Sequence, residues 1–212
     1  MRSTQKVFLR ALKLLLAGYV LICAALYFFQ EKLLFFPEKL DKAYRFSFDQ
    51  PFEEMAIRTR EGKMLNGLLF RADSAKGLIF YLHGNGGSLR SWGDVAKRYT
   101  DLHYSVFLLD YPGYGKSEGS IRGKRQLFDA IQDAYNELRK LVREDSIVVL
   151  GYSVGTGPAA HLAATNNPKL LILQAPYYSL TDMMRHTYPL IPTFLLKYTF
   201  NTGAYLKDCR MP

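Results

Sequence analysis

A serine flanked by glycines stands at the centre of the segment Gly151-Tyr152-Ser153-Val154-Gly155, directly after the apolar run Ile147–Leu150. The small and apolar residues that follow have a helical pattern, so this segment is a strand-to-helix turn in which larger side chains would clash. Such a turn exposes the serine hydroxyl at a helix N-terminus, where developing negative charge is favoured. We predict that Ser153 is a nucleophile and that the Val154 N–H donates to an oxyanion. An ordinary Gly-Ser loop is the alternative interpretation.

A glycine-rich loop, His83-Gly84-Asn85-Gly86-Gly87, follows the apolar run Leu78–Leu82. Glycines let a backbone approach a reacting oxygen closely, and a second oxyanion donor is expected in the loop after the third strand. We assign that donor to the Asn85 N–H, with Gly86 as the alternative, and we expect His83, Gly84 and Gly86 to shape the loop. Phosphate binding is another function for such glycines, but the loop lacks the Lys-Ser/Thr pair and the spacing of the nucleotide-binding motifs.

A third loop, Asp110–Gly119, follows the apolar run Val106–Leu109 and is rich in glycine and tyrosine. These residue types suit a tight surface loop. Ser117 lies in this loop and not at a strand-to-helix turn, so we predict a structural role for it.

The elements that must position these loops are visible as alternating patterns. Phe52–Thr59 and Met64–Arg71 predict an antiparallel hairpin. Short runs without polar alternation are typical of strands buried on both faces of a parallel sheet. Four such runs alternate with helical patterns: Leu78–Leu82, Val106–Leu109, Ile147–Leu150 and Leu170–Leu173. This order predicts a mostly parallel, doubly wound α/β sheet with helices on both faces, and ligands bind such sheets beyond the carboxyl ends of the strands, where the three loops fall.

The N-terminal region contains an uncharged, mostly apolar run, Leu14–Phe29. Extended back to Val7, with Arg10 and Lys13 reaching the headgroups, a helix of this sequence would be about 34 Å long, enough to cross a bilayer. A cleaved signal peptide and a buried core helix are the alternatives. Because the run ends in bulky aromatic residues instead of the small residues of a cleavage site, we predict a retained transmembrane helix.

The net charge of +9 bears on topology and on partners. Four of the basic residues precede any acidic one, and by the positive-inside rule they place the N-terminus in the cytoplasm. They are Arg2, Lys6, Arg10 and Lys13. The predicted location of the remainder is extracytoplasmic, which in a bacterium is the periplasmic face of the inner membrane. No compact basic run with interleaved aromatic residues occurs, so nucleic-acid binding is not predicted.

The patterns divide the chain into a basic tail with its transmembrane helix (1–30), an irregular connecting segment (31–50) and a globular domain (51–212). Within that domain, residues 179–201 combine aromatic side chains with two prolines and are predicted to form a cap. Cys23 and Cys209 are too few to form a disulfide framework.

In this order, the three loops resemble those of the α/β-hydrolase superfamily. With Leu34-Phe35-Phe36-Pro37 after the apolar run, they are most similar to its membrane-anchored branch, related to lysophospholipase-like and depalmitoylase-like enzymes and to serine aminopeptidase-like domains. The resemblance implies an α/β-hydrolase fold, Ser153 as the nucleophile, and Asn85 with Val154 as the oxyanion hole. It implies neither a metal nor an organic cofactor.

The fold supplies its catalytic residues in the chain order serine, acid, histidine. His161 lies on the helix that leaves the serine turn, too far along it to act as the base. Asp182 and His186, four residues apart on one helix face, are the in-chain candidates for acid and base, but they belong to the cap. In the family the acid and base follow two further strands. We therefore interpret the chain as incomplete at its C-terminus, as a truncated product or a fragment.

The favoured function is a membrane-anchored serine hydrolase that cleaves an ester, thioester or amide bond through an acyl-enzyme on Ser153. Its expected partners are the bilayer and a small-molecule or acylated substrate, and the apolar cap points to a lipidic one. Because no acid and base are evident, a non-catalytic or inactive membrane protein that keeps the fold is one alternative. A serine aminopeptidase-like peptidase is the other, although only Asp182 in the cap could contact a free amine.

Overall fold

The computed structural model describes residues 2–212, with side chains from Thr4 onward. Its first element is a long helix, α1 (Arg2–Leu34). Within it, Thr4–Leu34 is long and apolar enough to cross a membrane, and the rest of the protein leaves its apolar side chains exposed. The helix continues beyond the predicted boundary at residue 30, because Gln30-Glu31-Lys32 are good helix formers. The start of the connecting segment is therefore helical rather than irregular.

A six-stranded sheet forms the centre of the globular domain. Its strands lie in the order β2-β3-β6-β4-β7-β8, with β2 and β3 antiparallel to each other and β3 antiparallel to β6. The remaining neighbours are parallel. The bounds are β2 (Glu53–Arg58), β3 (Met64–Phe70), β4 (Leu78–Leu82), β6 (Ser105–Leu109), β7 (Ile147–Tyr152) and β8 (Leu170–Gln174). The predicted hairpin and the four predicted parallel strands are confirmed.

Helices connect the strands and cover both faces of the sheet. They are α2 (Leu89–Trp92), α3 (Ala96–Thr100), α4 (Lys124–Leu141), α5 (Thr156–Thr165), α6 (Leu180–Thr187) and α7 (Thr202–Tyr205). Short 3-10 turns occur at Gly93–Val95, Glu144–Ser146, Ser153–Gly155, Thr193–Leu195 and Leu206–Asp208. Helix α6 ends just before Tyr188-Pro189, since the residue before a proline avoids the helical region.

Two hydrophobic clusters lie on opposite faces of the sheet. Alternation along β4 shows the division: Phe80 packs with the helices α4 and α5, whereas Tyr81 packs on the other side with α2 and α3. The second face is completed by aromatic side chains of the segment before β2, among them Phe46 and Phe48. Burial on both faces is why these strands have almost no polar residues.

A small parallel pairing lies outside the main sheet. The two-residue strand β1 (Phe36–Pro37), directly after α1, pairs with β5 (Gly86–Gly87) in the glycine-rich loop. The end of the long helix is thus bonded to the loop that the sequence singles out for chemistry.

Candidate active site

Ser153 lies at the junction of β7 and α5, at the carboxyl edge of the sheet. Its φ is +50°, in the left-handed region that costs a non-glycine residue about 1–3 kcal/mol. The strand ends at Tyr152, and the 3-10 turn Ser153–Gly155 leads into α5 at Thr156. The strand-to-helix turn expected at this position is present.

Glycine is required on both sides of this turn, which we call the elbow. A Cβ at Gly155 would lie 2.2 Å from the Leu82 carbonyl oxygen and 2.6 Å from that of His83. A Cβ at Gly151 would lie 2.6 Å from the Gly155 carbonyl oxygen. The elbow therefore packs directly against the end of β4, and this contact brings the serine beside the glycine-rich loop.

The orientation of the Ser153–Val154 peptide is fixed through its carbonyl. The Ser153 oxygen accepts hydrogen bonds from the Thr156 hydroxyl, at 2.7 Å, and from the Thr156 N–H. In a trans peptide the N–H points opposite to the carbonyl, so the Val154 N–H is directed away from α5, out of its N-terminal end.

The peptide between Gly84 and Asn85 is held in the same way. His83 Nδ1 lies 2.7 Å from the Gly84 carbonyl oxygen, and because that oxygen can only accept, Nδ1 carries the hydrogen. The Asn85 N–H, on the opposite side of this peptide, consequently points away from the imidazole. A Cβ at Gly84 would lie 3.4 Å from the Tyr152 ring, which places this peptide next to the residue before Ser153.

The third loop braces the glycine-rich one. The Tyr111 hydroxyl donates to the His83 carbonyl at 2.8 Å, and the Tyr114 hydroxyl donates to the Asn85 carbonyl at 2.6 Å. The Phe36 N–H donates to the same Asn85 oxygen at 2.9 Å. The prediction of a surface loop is wrong for its first half, since Asp110 to Gly115 are buried. The tyrosines beside the turn glycines of this loop were the sequence signal that could have indicated its bracing role.

The predicted structural role of Ser117 agrees with its contacts. This buried hydroxyl donates to the Asp110 carbonyl at 2.7 Å and accepts from the Asn66 N–H at 2.8 Å. It joins the third loop to β3 and is not presented at an elbow.

Burial keeps His83 neutral. Loss of water around the imidazole lowers the pKa of His83 to about 4, against a smaller raising effect of its bond to Gly84. The ring is enclosed by Trp92, Tyr111 and Tyr114. A neutral ring with its hydrogen on Nδ1 donates to the Gly84 carbonyl of the glycine-rich loop.

Asp110 is the second buried titratable group beneath the loops. Burial raises its pKa to about 8, partly offset by the Leu89 N–H that donates to Oδ1 at 3.0 Å. Its other oxygen, Oδ2, has no hydrogen-bond partner within the described residues. Since Leu89 begins α2, the carboxyl attaches the end of the glycine-rich segment to the third loop.

The in-chain candidates for acid and base lie apart from these loops. His186 Nε2 is 3.7 Å from Asp182 Oδ1 on α6, with 79% of the histidine side chain exposed. His161 stacks on Phe128 with 4.1 Å between ring centroids, and His103 lies in the turn before β6 with Nδ1 3.1 Å from the Asp73 carbonyl. No contact links any of these three histidines to Ser153, so its acid and base stay unassigned among residues 4–212.

The strand order, the elbow and the two loops beside it define the family. Residues 77–205 match the family of the alpha/beta hydrolase fold. The chain belongs to the α/β-hydrolase family. The fold expected from the three loops is thereby confirmed.

Among curated proteins, this α/β hydrolase is similar to the protein bem46 of Schizosaccharomyces pombe, with 31% identity over 150 residues, 67% of this chain and 50% of bem46. It is also similar to human alpha/beta hydrolase domain-containing protein 17B, with 30% identity over 159 residues, 72% of this chain and 53% of that protein. The chain spans about half the length of the curated relatives it matches.

Solved structures show the same fold. An alpha-beta hydrolase from Vibrio vulnificus superposes with a TM-score of 0.63 at 21% identity, covering 75% of this chain and 60% of that one. A Pyrococcus furiosus esterase superposes with a TM-score of 0.60 at 17% identity, covering 84% of this chain and 74% of that one. At these identities the likeness bears on the fold alone.

The packing of Gly155 predicts that adding one methyl group at this position strongly destabilises the fold. Gly155→Ala should lower the free energy of unfolding by at least about 2 kcal/mol, because the new Cβ meets backbone oxygens that cannot move without breaking β4. Gly123→Ala is the matched control, since a Cβ there meets no atom within 4 Å, and it should change stability by less than about 1 kcal/mol. Equal denaturant midpoints for the two variants would contradict the packing described for the elbow.

The raised pKa of Asp110 predicts a pH dependence of stability. Between about pH 6.5 and 8 the native carboxyl holds a proton that the unfolded chain has released. Unfolding free energy should therefore fall as pH rises, by on the order of 1 kcal/mol per pH unit. Below about pH 6.5, His83 contributes a change of the opposite sign to the unfolding free energy. The unfolded chain binds a proton on this imidazole, whereas the native imidazole stays neutral down to about pH 4.

Asp110→Asn should abolish the decline between pH 6.5 and 8, since the amide keeps the acceptor for Leu89 but cannot ionise. Urea unfolding of wild type and variant across this range measures the slope. Asp101→Asn, at an exposed position paired with Lys97, is the control and should behave as wild type. Parallel slopes for wild type and Asp110→Asn would refute the assignment.

Proposed function

We propose that this α/β hydrolase is a membrane-anchored serine hydrolase that cleaves an ester, thioester or amide bond through an acyl-enzyme on Ser153. The observation that carries the proposal is the strained φ of Ser153 at the elbow. An exposed turn such as that at Ser74 adopts the same φ without tight packing, whereas at Ser153 the packing enforces it, and enforced strain of this kind concentrates at functional sites. Here the elbow glycines and the end of β4 enforce it.

In the proposed reaction, the Ser153 hydroxyl attacks the carbonyl carbon of the substrate and loses its proton to a general base. The leaving alcohol, thiol or amine departs with a proton, and water then hydrolyses the acyl-enzyme by the reverse sequence. The residue that acts as the base is not assigned between Thr4 and Pro212.

The oxyanion formed in each step would accept hydrogen bonds from the Val154 and Asn85 N–H groups. Both peptides are fixed before substrate arrives, one by Thr156 and the other by His83. Donors that need no reorganisation at the moment of reaction stabilise a transition state most effectively, and one such donor contributes about 100- to 1,000-fold in rate. Tyr114, through the Asn85 carbonyl, is proposed as a positioning residue for this hole.

The location of the substrate follows from the long helix. The exposed apolar surface of α1 suits a bilayer, and β1 bonds the residues directly after it to the Asn85 loop. A site this close to the end of a membrane anchor favours a lipidic or acylated substrate presented at the membrane surface.

A fluorophosphonate probe tests the nucleophile, because it reacts with activated serines. The wild-type protein should be labelled on Ser153, and Ser153→Ala should reduce labelling to background. Ser74→Ala is the matched control: this exposed serine also has a φ of +50°, but it lies in a turn between β3 and β4, and its loss should leave labelling intact. Labelling that survives in Ser153→Ala would disprove the assignment, and a folded wild type that resists labelling would count equally against it.

Tyr114→Phe tests the bracing of the oxyanion loop. Loss of one hydrogen bond to the Asn85 carbonyl should lower kcat for an aryl ester by roughly 3- to 10-fold, consistent with about 0.5–1.5 kcal/mol for one bond, with KM nearly unchanged. The control Tyr178→Phe alters an exposed tyrosine and should leave both constants as in wild type. A rise in KM at constant kcat would place Tyr114 in substrate binding instead.

A further inference from the structure

The segment Tyr188–Leu196, here called the cap loop, runs alongside the membrane helix α1. The Tyr19 hydroxyl donates to the Leu190 carbonyl at 2.7 Å. Further along the helix, Gln30 Nε2 donates to the Leu195 carbonyl at 3.1 Å, and Gln30 Oε1 accepts from the Lys197 N–H at 2.8 Å. The loop is therefore attached to the helix at two levels.

The distance between these levels measures how far the loop extends along α1. Tyr19 and Gln30 are eleven residues apart, which corresponds to roughly 16 Å along a helix. The hydrocarbon core of a bilayer is about 30 Å thick, so a loop anchored near the interface at Gln30 reaches about its middle at Tyr19.

Basic and aromatic side chains mark the Gln30 end as interfacial. Lys32 Nζ lies 5.7 Å from the centre of the Phe29 ring, and Lys197 Nζ lies 4.7 Å from that of Tyr27. Lys197 also pairs with Glu31 at 3.3 Å. Lysines and aromatic rings are typical of the membrane–water boundary, so the boundary falls at this level of α1.

Beyond that boundary the cap loop presents apolar side chains outward. Leu190 is 82% exposed, Phe194 is 83% exposed, and Tyr188 is 61% exposed. A cavity of about 530 Å³ between the cap loop, α6 and α1 is lined mainly by leucine, isoleucine and methionine. Such surfaces are unfavourable in water and favourable against lipid tails.

Part of the cap-loop backbone is hydrogen-bonded within the protein, which lowers the cost of placing it in a bilayer. Pro189 and Pro192 have no N–H. The Ile191 N–H donates to Tyr188, and the Leu195 N–H donates to Pro192. Tyr19 and Gln30 supply donors to the Leu190 and Leu195 carbonyls from within an otherwise apolar helix.

We propose that the cap loop is a second membrane-inserted element, which enters the lipid tails of the leaflet beside the globular domain and lies against α1. Its partner is the hydrocarbon of the bilayer, whose acyl chains contact Leu190 and Phe194. The proposal rests on α1 being membrane-spanning, a part of the proposed function. Two inserted elements fix the orientation of the domain on the membrane, whereas a single helix would leave it free to rotate about the anchor.

Quenching of a fluorophore by brominated lipid tests the depth of the loop. Single cysteines are introduced at Leu190, Phe194, Leu21 and Leu102 in a Cys23→Ala, Cys209→Ala background and labelled with NBD. Each protein is reconstituted in phosphatidylcholine vesicles with or without bromine on the acyl chains. Leu21 is an exposed position on α1, and Leu102 is an exposed position in the turn before β6.

Position 190, level with Tyr19, should be quenched severalfold by brominated tails, close to the quenching at position 21. Position 194, next to the boundary at Gln30, should be quenched less than position 190 but clearly, while position 102 stays unquenched. Quenching at 21 but not at 190 and 194 would overturn the proposal and leave the anchor intact. A blue-shifted but unquenched label at 190 and 194 would show that protein covers the loop, and would overturn it too. An unquenched label at 21 would refute the anchor and this proposal together, while fluorophosphonate labelling of Ser153 reports separately on the catalytic part of the proposed function.

Tyr19→Phe tests the attachment itself, since it removes only the hydroxyl that bonds to Leu190. Quenching at position 190 should fall at least twofold, and quenching at position 21 should stay constant. Unchanged quenching at 190 would contradict the role given to this hydrogen bond.

Discussion

The contact between Gly155 and the last carbonyls of β4 is the constraint on which the rest of the site depends. A serine at φ +50° would relax to an ordinary strand or helix conformation if its turn could move. The turn cannot move, because Gly155 packs so closely on the Leu82 and His83 carbonyl oxygens that no side chain would fit between them. The chain then continues into helix α5, which is buried against the sheet. The same contact brings the elbow beside the glycine-rich loop, so in the proposed function the strained conformation and the pairing of the two oxyanion donors have one cause.

A loop rich in glycine has little rigidity of its own, and here the rigidity comes from neighbouring aromatic and polar groups. Tyr111 binds the His83 carbonyl of the glycine-rich loop, and Tyr114 and the Phe36 N–H share its Asn85 carbonyl. His83 and Asp110 complete the arrangement from below, and both are buried in conditions that favour their neutral forms. Because His83 and Asp110 are neutral in the interior, they can hydrogen-bond to the backbone there without an oppositely charged partner.

Much of this arrangement could be predicted from the sequence, and the reason is burial. Strand Leu78–Leu82 has the predicted bounds, because a strand buried on both faces must be apolar. The other three parallel strands extend the predicted runs by one or two residues that are not aliphatic. The elbow and the glycine-rich loop were predictable because their backbone geometry admits few residue types. The pairing of Phe36–Pro37 with Gly86–Gly87 was not, since two-residue strands distant in sequence leave no periodic pattern. The bracing tyrosines were missed because a tyrosine in a turn is usually exposed.

Helix α1, the candidate membrane span, and the glycine-rich loop are bonded to each other. Helix α1 ends at Leu34, whose carbonyl lies 3.4 Å from the Asn85 side-chain amide, and two residues later the Phe36 N–H bonds to the Asn85 carbonyl. At the same end of the helix, Gln30 and Glu31 bind the chain that follows the cap loop, through Lys197 and Tyr198. A helix held only by its lipid contacts could tilt and rotate independently of the domain. Because this one is bonded on one side to the Asn85 loop and on the other to the cap, any change in its tilt must move the two together. In the proposed function, the position of the bilayer relative to Ser153 is therefore set by hydrogen bonds within the protein rather than by the length of a flexible tether.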